Sequence, residues 1–147
     1  MNRKYQYILF DLDGTLTDSG MGFVYSVASS LQKKGIDVED KVGLLKFVGP
    51  PLIESYCRYY GYSMEGAIEM VNIYREYYGT KGLYENSVYE GIEEVLKVLK
   101  ERGKVLVVAT SKPEEYARKI VEYYGLAKYF MYVAGSNMDE TRTKKAE

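Results

Sequence analysis

The stretch Tyr7-Ile8-Leu9-Phe10-Asp11-Leu12-Asp13-Gly14 constrains the chain more than any other. An apolar run stops abruptly at two carboxylates spaced i, i+2, and a turn-forming glycine follows. Such a run reads as a buried strand that delivers its side chains to a loop at its carboxyl end. Open α/β sheets place their ligands at that end. If Asp11 and Asp13 share the rim, their repulsion is relieved by a cation between them. Hard oxygen donors beside a tight glycine turn suit Mg²⁺. Asp-x-Asp-Gly is also an ordinary strand exit, so the rest of the chain has to decide between the two readings.

At 147 residues the chain has room for one domain, or for a small core with an insertion. With 20 basic against 21 acidic residues, its formal charge of -1 supplies no excess to neutralise nucleic-acid phosphates. Cys57 has no cysteine partner for a disulfide and no histidine companion for a zinc site. The absence of histidine excludes every mechanism that needs an imidazole base or ligand. Carboxylates must therefore carry any acid–base chemistry. No apolar run reaches the ~20 residues of a membrane span, and the run after Met1-Asn2-Arg3-Lys4 is too short for a signal sequence. The expectation is a soluble, cytoplasmic protein with neither a membrane nor a nucleic-acid partner.

Beyond the first strand, Asp18 and Ser19 suit the N-cap of a helix over Met21–Lys34, in which Val24, Val27, Ala28 and Leu31 form one stripe. A short helical pattern over Asp40–Phe47 leads to Gly49-Pro50-Pro51, which can open a helix running to Tyr60. Another helix spans Met64–Tyr78. Tyr-Tyr-Gly recurs at Tyr59, Tyr77 and Tyr123 with unequal spacing, so it marks helix ends rather than a structural repeat. Its tyrosines read as packing residues with a wet hydroxyl end.

From Tyr89 the texture changes. Ile92, Val95, Leu96 and Leu99 form a second stripe, and Val105–Ala109 is apolar throughout, as a strand covered on both faces would be. Pro113–Tyr124 reads as a helix and Tyr129–Ala134 as a third strand, completing a βαβ unit with a right-handed crossover. The expected organisation is an α/β core from 1–18 and 83–147, interrupted by an all-helical segment from 19–82. Turn-rich joins at Asp18-Ser19-Gly20 and Gly79-Thr80-Lys81-Gly82 could act as hinges.

The second strand ends in Thr110-Ser111-Lys112-Pro113. Hydroxyls and free N–H groups before a helix form an anion site, although Thr110 or Ser111 would also serve as plain helix caps. In a parallel sheet both strands deliver their carboxyl ends to one rim, which brings Thr110 and Ser111 to face Asp11 and Asp13. Lys112 and Arg142 read as solvated. Gly49 and Pro50 read equally well as a loop facing the site and as a helix junction.

At this point the residues carry a resemblance. Asp11-Leu12-Asp13-Gly14-Thr15-Leu16-Thr17-Asp18-Ser19, Ala109-Thr110-Ser111-Lys112-Pro113, Gly49-Pro50-Pro51-Leu52 and the run from Gly135-Ser136-Asn137 to Lys145 follow one another in a telling order. They resemble the haloacid dehalogenase-like superfamily, in particular its phosphoglycolate-phosphatase-like members with a helical cap inserted after the first strand. That resemblance implies a Rossmann-like parallel sheet and a Mg²⁺-dependent phosphatase acting on a small phosphate monoester, of phosphoglycolate or nucleoside monophosphate type. It implies Asp11 as the nucleophile that becomes an aspartyl-phosphate and Asp13 as the acid–base. Asp11 and Asp13, the latter through its backbone carbonyl, would be metal ligands. Gly14, Thr110, Ser111 and Lys145 would be phosphate contacts, with Lys144 as the other candidate for the motif lysine. Asp13 favours phosphoryl transfer, because members that cleave carbon–halogen bonds generally lack the second carboxylate.

The family's fourth motif, an acidic pair that completes the metal shell, is absent, so the sequence reads as part of a longer protein. In the family's strand order that loss leaves Ile8, Leu9 and Phe10 on an open edge. A phosphosugar mutase on the same scaffold and a non-catalytic binding protein that keeps the fold are the alternatives. The sequence leaves the oligomeric state open.

Overall fold

The computed structural model describes residues 4–138. It divides into two compact units, Met1–Asp18 with Ser87–Glu147, and Ser19–Asn86.

The first unit is built on a parallel sheet of β1 (Tyr7–Phe10), β4 (Val105–Pro113) and β5 (Phe130–Ser136), in the order β1-β4-β5. Tyr7 lies opposite Val105 and Phe10 opposite Val108, so β1 and the first half of β4 run in step. Two short strands, β2 (Thr17–Asp18) and β3 (Ser87–Val88), pair antiparallel where the chain leaves this unit and returns to it. Helices α4 (Ile92–Glu101) and α5 (Glu114–Tyr123) complete the crossovers. The core holds Leu12, Leu16, Leu96, Leu106, Val108, Ile120 and Val121, each no more than 1% exposed. Every such aliphatic side chain contributes roughly 1.5–3 kcal/mol by leaving water.

Three expectations for this unit need correction. The first strand is not buried among the described residues: it forms one edge of the sheet, with Tyr7 61% and Leu9 63% exposed. Of the α4 stripe, Leu96 is buried but Val95 is 49% exposed, so the inward face is narrower than the periodicity suggested. The second strand does not stop at Ala109 but runs on to Pro113, and α5 starts one residue later than expected.

The second unit is all-helical. Helix α1 (Gly20–Lys33) packs on α3 (Met64–Tyr78), which also receives α2 (Leu52–Tyr60). A seven-residue 3-10 segment, Lys41–Phe47, lies against α1 and is opened by Asp40, whose side chain accepts from the Val42 N–H. Ser19 precedes α1 without a side-chain capping bond, contrary to the expected cap. Val24, Val27 and Leu31 line its buried face. The approach between α1 and the 3-10 turn Gly82–Tyr84 is close, since a Cβ on Gly22 would stand 2.3 Å from the Gly82 carbonyl oxygen. Phe47 rests edge-on against Tyr56, and Tyr74 stacks on Tyr78 with ring centroids 5.3 Å apart. Tyr56, Tyr74 and Tyr78 are core residues; of the Tyr-Tyr-Gly tyrosines read as packing residues, Tyr78 is buried but Tyr123 is 60% exposed. Of the three Tyr-Tyr-Gly helix ends, Gly61 and Gly125 are left-handed, but Gly79 keeps right-handed helical angles. There Thr80 bonds back to the Glu76 and Tyr77 carbonyls.

Candidate active site at the carboxyl end of the sheet

The pairing of β1 with β4 ends at the rung Phe10–Val108. Asp11 follows that rung by one residue and Thr110 by two, so both stand at the same rim, although β4 itself runs on along β5 to Pro113. Beyond Asp11 the chain folds into a tight turn. The Leu12 carbonyl accepts from the N–H groups of Thr15, Leu16 and Thr17, and the Gly14 N–H donates to the Thr17 carbonyl at 2.8 Å. Gly14 sits at φ +80°, in the left-handed region that a side chain disfavours. The buried Leu12 and Leu16 anchor both ends of the turn, while Asp11 and Asp13, on either side of Leu12, stay part-exposed. The Asp11 carboxylate accepts from the Leu12 N–H at 2.8 Å, which limits its rotation.

On β4 the even-numbered residues Leu106, Val108, Thr110 and Lys112 are all buried, while Ser111 between the last two is exposed. Burial does not alternate strictly here, since Ala109 is buried too and the register against β5 shifts between Ala109 and Pro113, yet Thr110 and Lys112 are both held inward. The Thr110 hydroxyl accepts from the Lys112 N–H at 3.1 Å. It does not cap α5, nor does Ser111: that helix starts behind Pro113 without a side-chain cap, and its first turn carries Glu114 and Glu115. Two acidic residues there already complement the helix N-terminus.

Lys112 is the residue that sequence reasoning placed wrongly. Its side chain is 3% exposed, not solvated, and its Nζ donates to Asp13 Oδ1 at 2.9 Å. Asp13 itself is 22% exposed. No local signal marked it, because its burial depends on β4 running on past the apolar run to Pro113 and on a partner in the β1 turn. Asp11, Asp13, Gly14, Thr110 and Ser111 all lie at this end of the sheet, and the 2.9 Å ion pair ties the β1 turn directly to β4. Lys145, Lys144 and Arg142 lie outside the described residues.

The turn supplies hard oxygen donors, and its backbone hydrogen bonds go to the carbonyls of Leu12 and Thr17 rather than to that of Asp13. Lys112 engages one carboxylate oxygen of Asp13. The Asp11 carboxylate and the Asp13 carbonyl therefore fit Mg²⁺, which keeps several waters and takes one or two protein ligands beside substrate phosphate. Among the described residues no group of three or more acidic, histidine or cysteine side chains forms a fuller cage.

A parallel sheet that carries an acidic turn on one strand and a hydroxyl on the next, with a helical unit inserted between them, defines an α/β protein with a polar rim. The sequence model described as haloacid dehalogenase-like hydrolase matches residues 8–145, and the chain belongs to that family. It is 46% identical over 144 residues to the 5'-nucleotidase of Pseudomonas aeruginosa, covering 98% of this chain and 65% of that protein. It is 39% identical to the tyrosine-protein kinase PtkA of Mycobacterium tuberculosis, over 97% of this chain and 48% of the relative. Among solved structures, a predicted phosphatase from Clostridium acetobutylicum superposes with a TM-score of 0.87 at 50% identity, covering 96% of this chain and 65% of the other. The chain thus spans about two thirds of the 5'-nucleotidase and about half of the kinase.

Proposed function

We propose that the protein is a Mg²⁺-dependent phosphatase that hydrolyses a small phosphate monoester, with a nucleoside monophosphate as the favoured substrate class. The observation that carries this reading is the acidic turn at the end of β1, with Asp13 pinned to β4 by Lys112 at 2.9 Å and Thr110 on the same strand. The Pseudomonas relative named 5'-nucleotidase supports the nucleotide over phosphoglycolate.

In this mechanism an Asp11 oxygen attacks phosphorus, and the ester P–O bond breaks as the aspartyl-phosphate forms. The leaving oxygen takes a proton from Asp13. Asp13 then accepts a proton from water, whose oxygen attacks the same phosphorus and releases inorganic phosphate, restoring the Asp11 carboxylate. Thr110 donates its hydroxyl proton to a phosphoryl oxygen, and Lys145 neutralises another. The Asp11 carboxylate and the Asp13 carbonyl would hold Mg²⁺, which would supply positive charge to offset the repulsion between an anionic nucleophile and a phosphate dianion.

Phosphate release from a panel of nucleoside monophosphates, phosphoglycolate and phosphosugars, with and without Mg²⁺, tests the reading. Metal-dependent release with the highest kcat/KM on a nucleotide is the expected result. Preference for phosphoglycolate would replace the substrate class. Transfer of the phosphoryl group to another hydroxyl without net release would turn the assignment to a mutase or kinase, an outcome to which the mycobacterial relative gives weight. A folded sample that neither releases nor transfers phosphate would mark a binding protein.

A further inference from the structure

We infer that Lys112 is a positioning residue for the phosphatase reaction: it holds the Asp13 carboxyl by one oxygen and leaves the other to handle the proton. This inference rests on the phosphatase reading above.

The argument starts from donor and acceptor counts. A lysine ammonium carries three N–H donors and no acceptor. The Asp13 oxygen facing it at 2.9 Å, Oδ1, can therefore serve only as an acceptor, so a proton carried by this carboxyl resides on Oδ2. A carboxyl that shuttles protons between a leaving oxygen and water gains from presenting one defined oxygen, because proton transfer needs hydrogen-bond reach in a fixed direction. Lys112 is suited to impose that direction. Its side chain is 3% exposed, the next residue pairs with β5 at Pro113–Ser136, and its own N–H is held by the Thr110 hydroxyl at 3.1 Å. The approach of β5 holds the same segment in place, since a Cβ on Gly135 would stand 2.5 Å from the Lys112 carbonyl oxygen. Lys112 acts on the substrate only through Asp13. An alkyl or sugar leaving oxygen needs a proton as the ester bond breaks, whereas p-nitrophenolate leaves without one. Loss of Asp13 orientation should therefore be felt on the first kind of ester and little on the second.

The test measures kcat/KM of the full chain with Mg²⁺ on p-nitrophenyl phosphate and on an alkyl phosphate, for wild type, Lys112→Met, Lys112→Gln, Asp13→Asn and Asp13→Asn/Lys112→Met. With Lys112→Met the alkyl ester should lose at least about tenfold more than the aryl ester, within the ~10²–10⁴-fold contributed by general acid–base catalysis. Lys112→Gln, which keeps an N–H donor, should recover part of the loss. In the Asp13→Asn background, adding Lys112→Met should cost nothing further on the alkyl ester. That comparison stands even if Lys112→Met alone, with its unpaired Asp13, does not fold. Equal losses on the two esters, or additive losses in the double variant, would overturn the assignment, because Lys112 would then touch the phosphoryl group or serve packing alone. Wild-type turnover that survives Asp11→Asn, or no wild-type turnover at all, would overturn the phosphatase reading and this inference with it.

Discussion

At the scale of single residues, two glycines show how differently the same substitution can act. Gly14 is needed for its backbone angle: φ is +80°, yet a Cβ there would meet nothing within 4 Å. Gly135 is needed for its size, since a Cβ would fall within 2.7 Å of three backbone atoms, the Lys112 oxygen and the Glu114 nitrogen and Cα. Backbone atoms in a strand and a helix start cannot yield as a flexible side chain would. Gly135→Ala should therefore cost about 1–3 kcal/mol by overpacking, and Gly14→Ala about 1–2 kcal/mol by left-handed strain alone. Urea denaturation of both variants checks the magnitudes. The contrast lies in the site: Gly135→Ala displaces the segment that carries Lys112 and should lower kcat beyond its effect on stability. Unchanged stability and turnover in Gly135→Ala would contradict the close packing of β5 on the β4–α5 junction. Asp11, Asp13 and Thr110 could be read from their letters because a strand end and a turn suffice to place them. Lys112 could not, because its burial depends on how far β4 continues and on a partner 99 residues away.

At the scale of elements, the helical unit is organised around the Ser30–Tyr56 contact between α1 and α2. The Ser30 hydroxyl donates its one proton to the Val27 carbonyl at 2.7 Å, so the 2.7 Å bond to Tyr56 has the tyrosine as donor. Tyr56→Phe leaves Ser30 with its backbone bond and should cost about 1 kcal/mol, the net worth of a buried hydrogen bond. Burial raises the Tyr56 phenol well above its ordinary value. The unfolded chain titrates this group near the ordinary value of about 10. Above that pH the unfolded state gives up the proton while the native state keeps it, so the native state binds more protons and stability falls as pH rises. The contribution is fully present below pH ~10 and is lost on going higher. The denaturation midpoint of wild type should drop above that pH more steeply than that of Tyr56→Phe, and parallel curves would show that the phenol ionises freely in the folded protein. Helices α1, α2 and α3 were legible because stripes, prolines and glycine stops are local signals. The β2–β3 pair was not, since two-residue strands carry no periodicity and form only when distant segments meet. The exposed β1 edge shows a further limit: an apolar run reports what a segment can bury, not which neighbour covers it.

At the scale of the whole molecule, two compact units of one chain divide the work that the family resemblance suggests. The sheet unit carries the described acid, hydroxyl and lysine groups, and the inserted unit packs its own tyrosine-rich core. The relatives are longer than this chain, so activity is best measured beside a form extended to their length. The order of motifs made the fold legible early, because a strand, a helical insertion and a βαβ run leave few other topologies. The account's central claim is that Asp11 carries the phosphoryl group. Its most direct test is rapid acid quenching of the protein during turnover of a nucleoside monophosphate with Mg²⁺, followed by mass spectrometry of the peptides. The account predicts one phosphoryl group on the peptide containing Asp11, absent from Asp11→Asn, which should keep its fold and lose turnover. Phosphate release with no phosphoryl group on that peptide at any quench time, or turnover retained in Asp11→Asn, would contradict it.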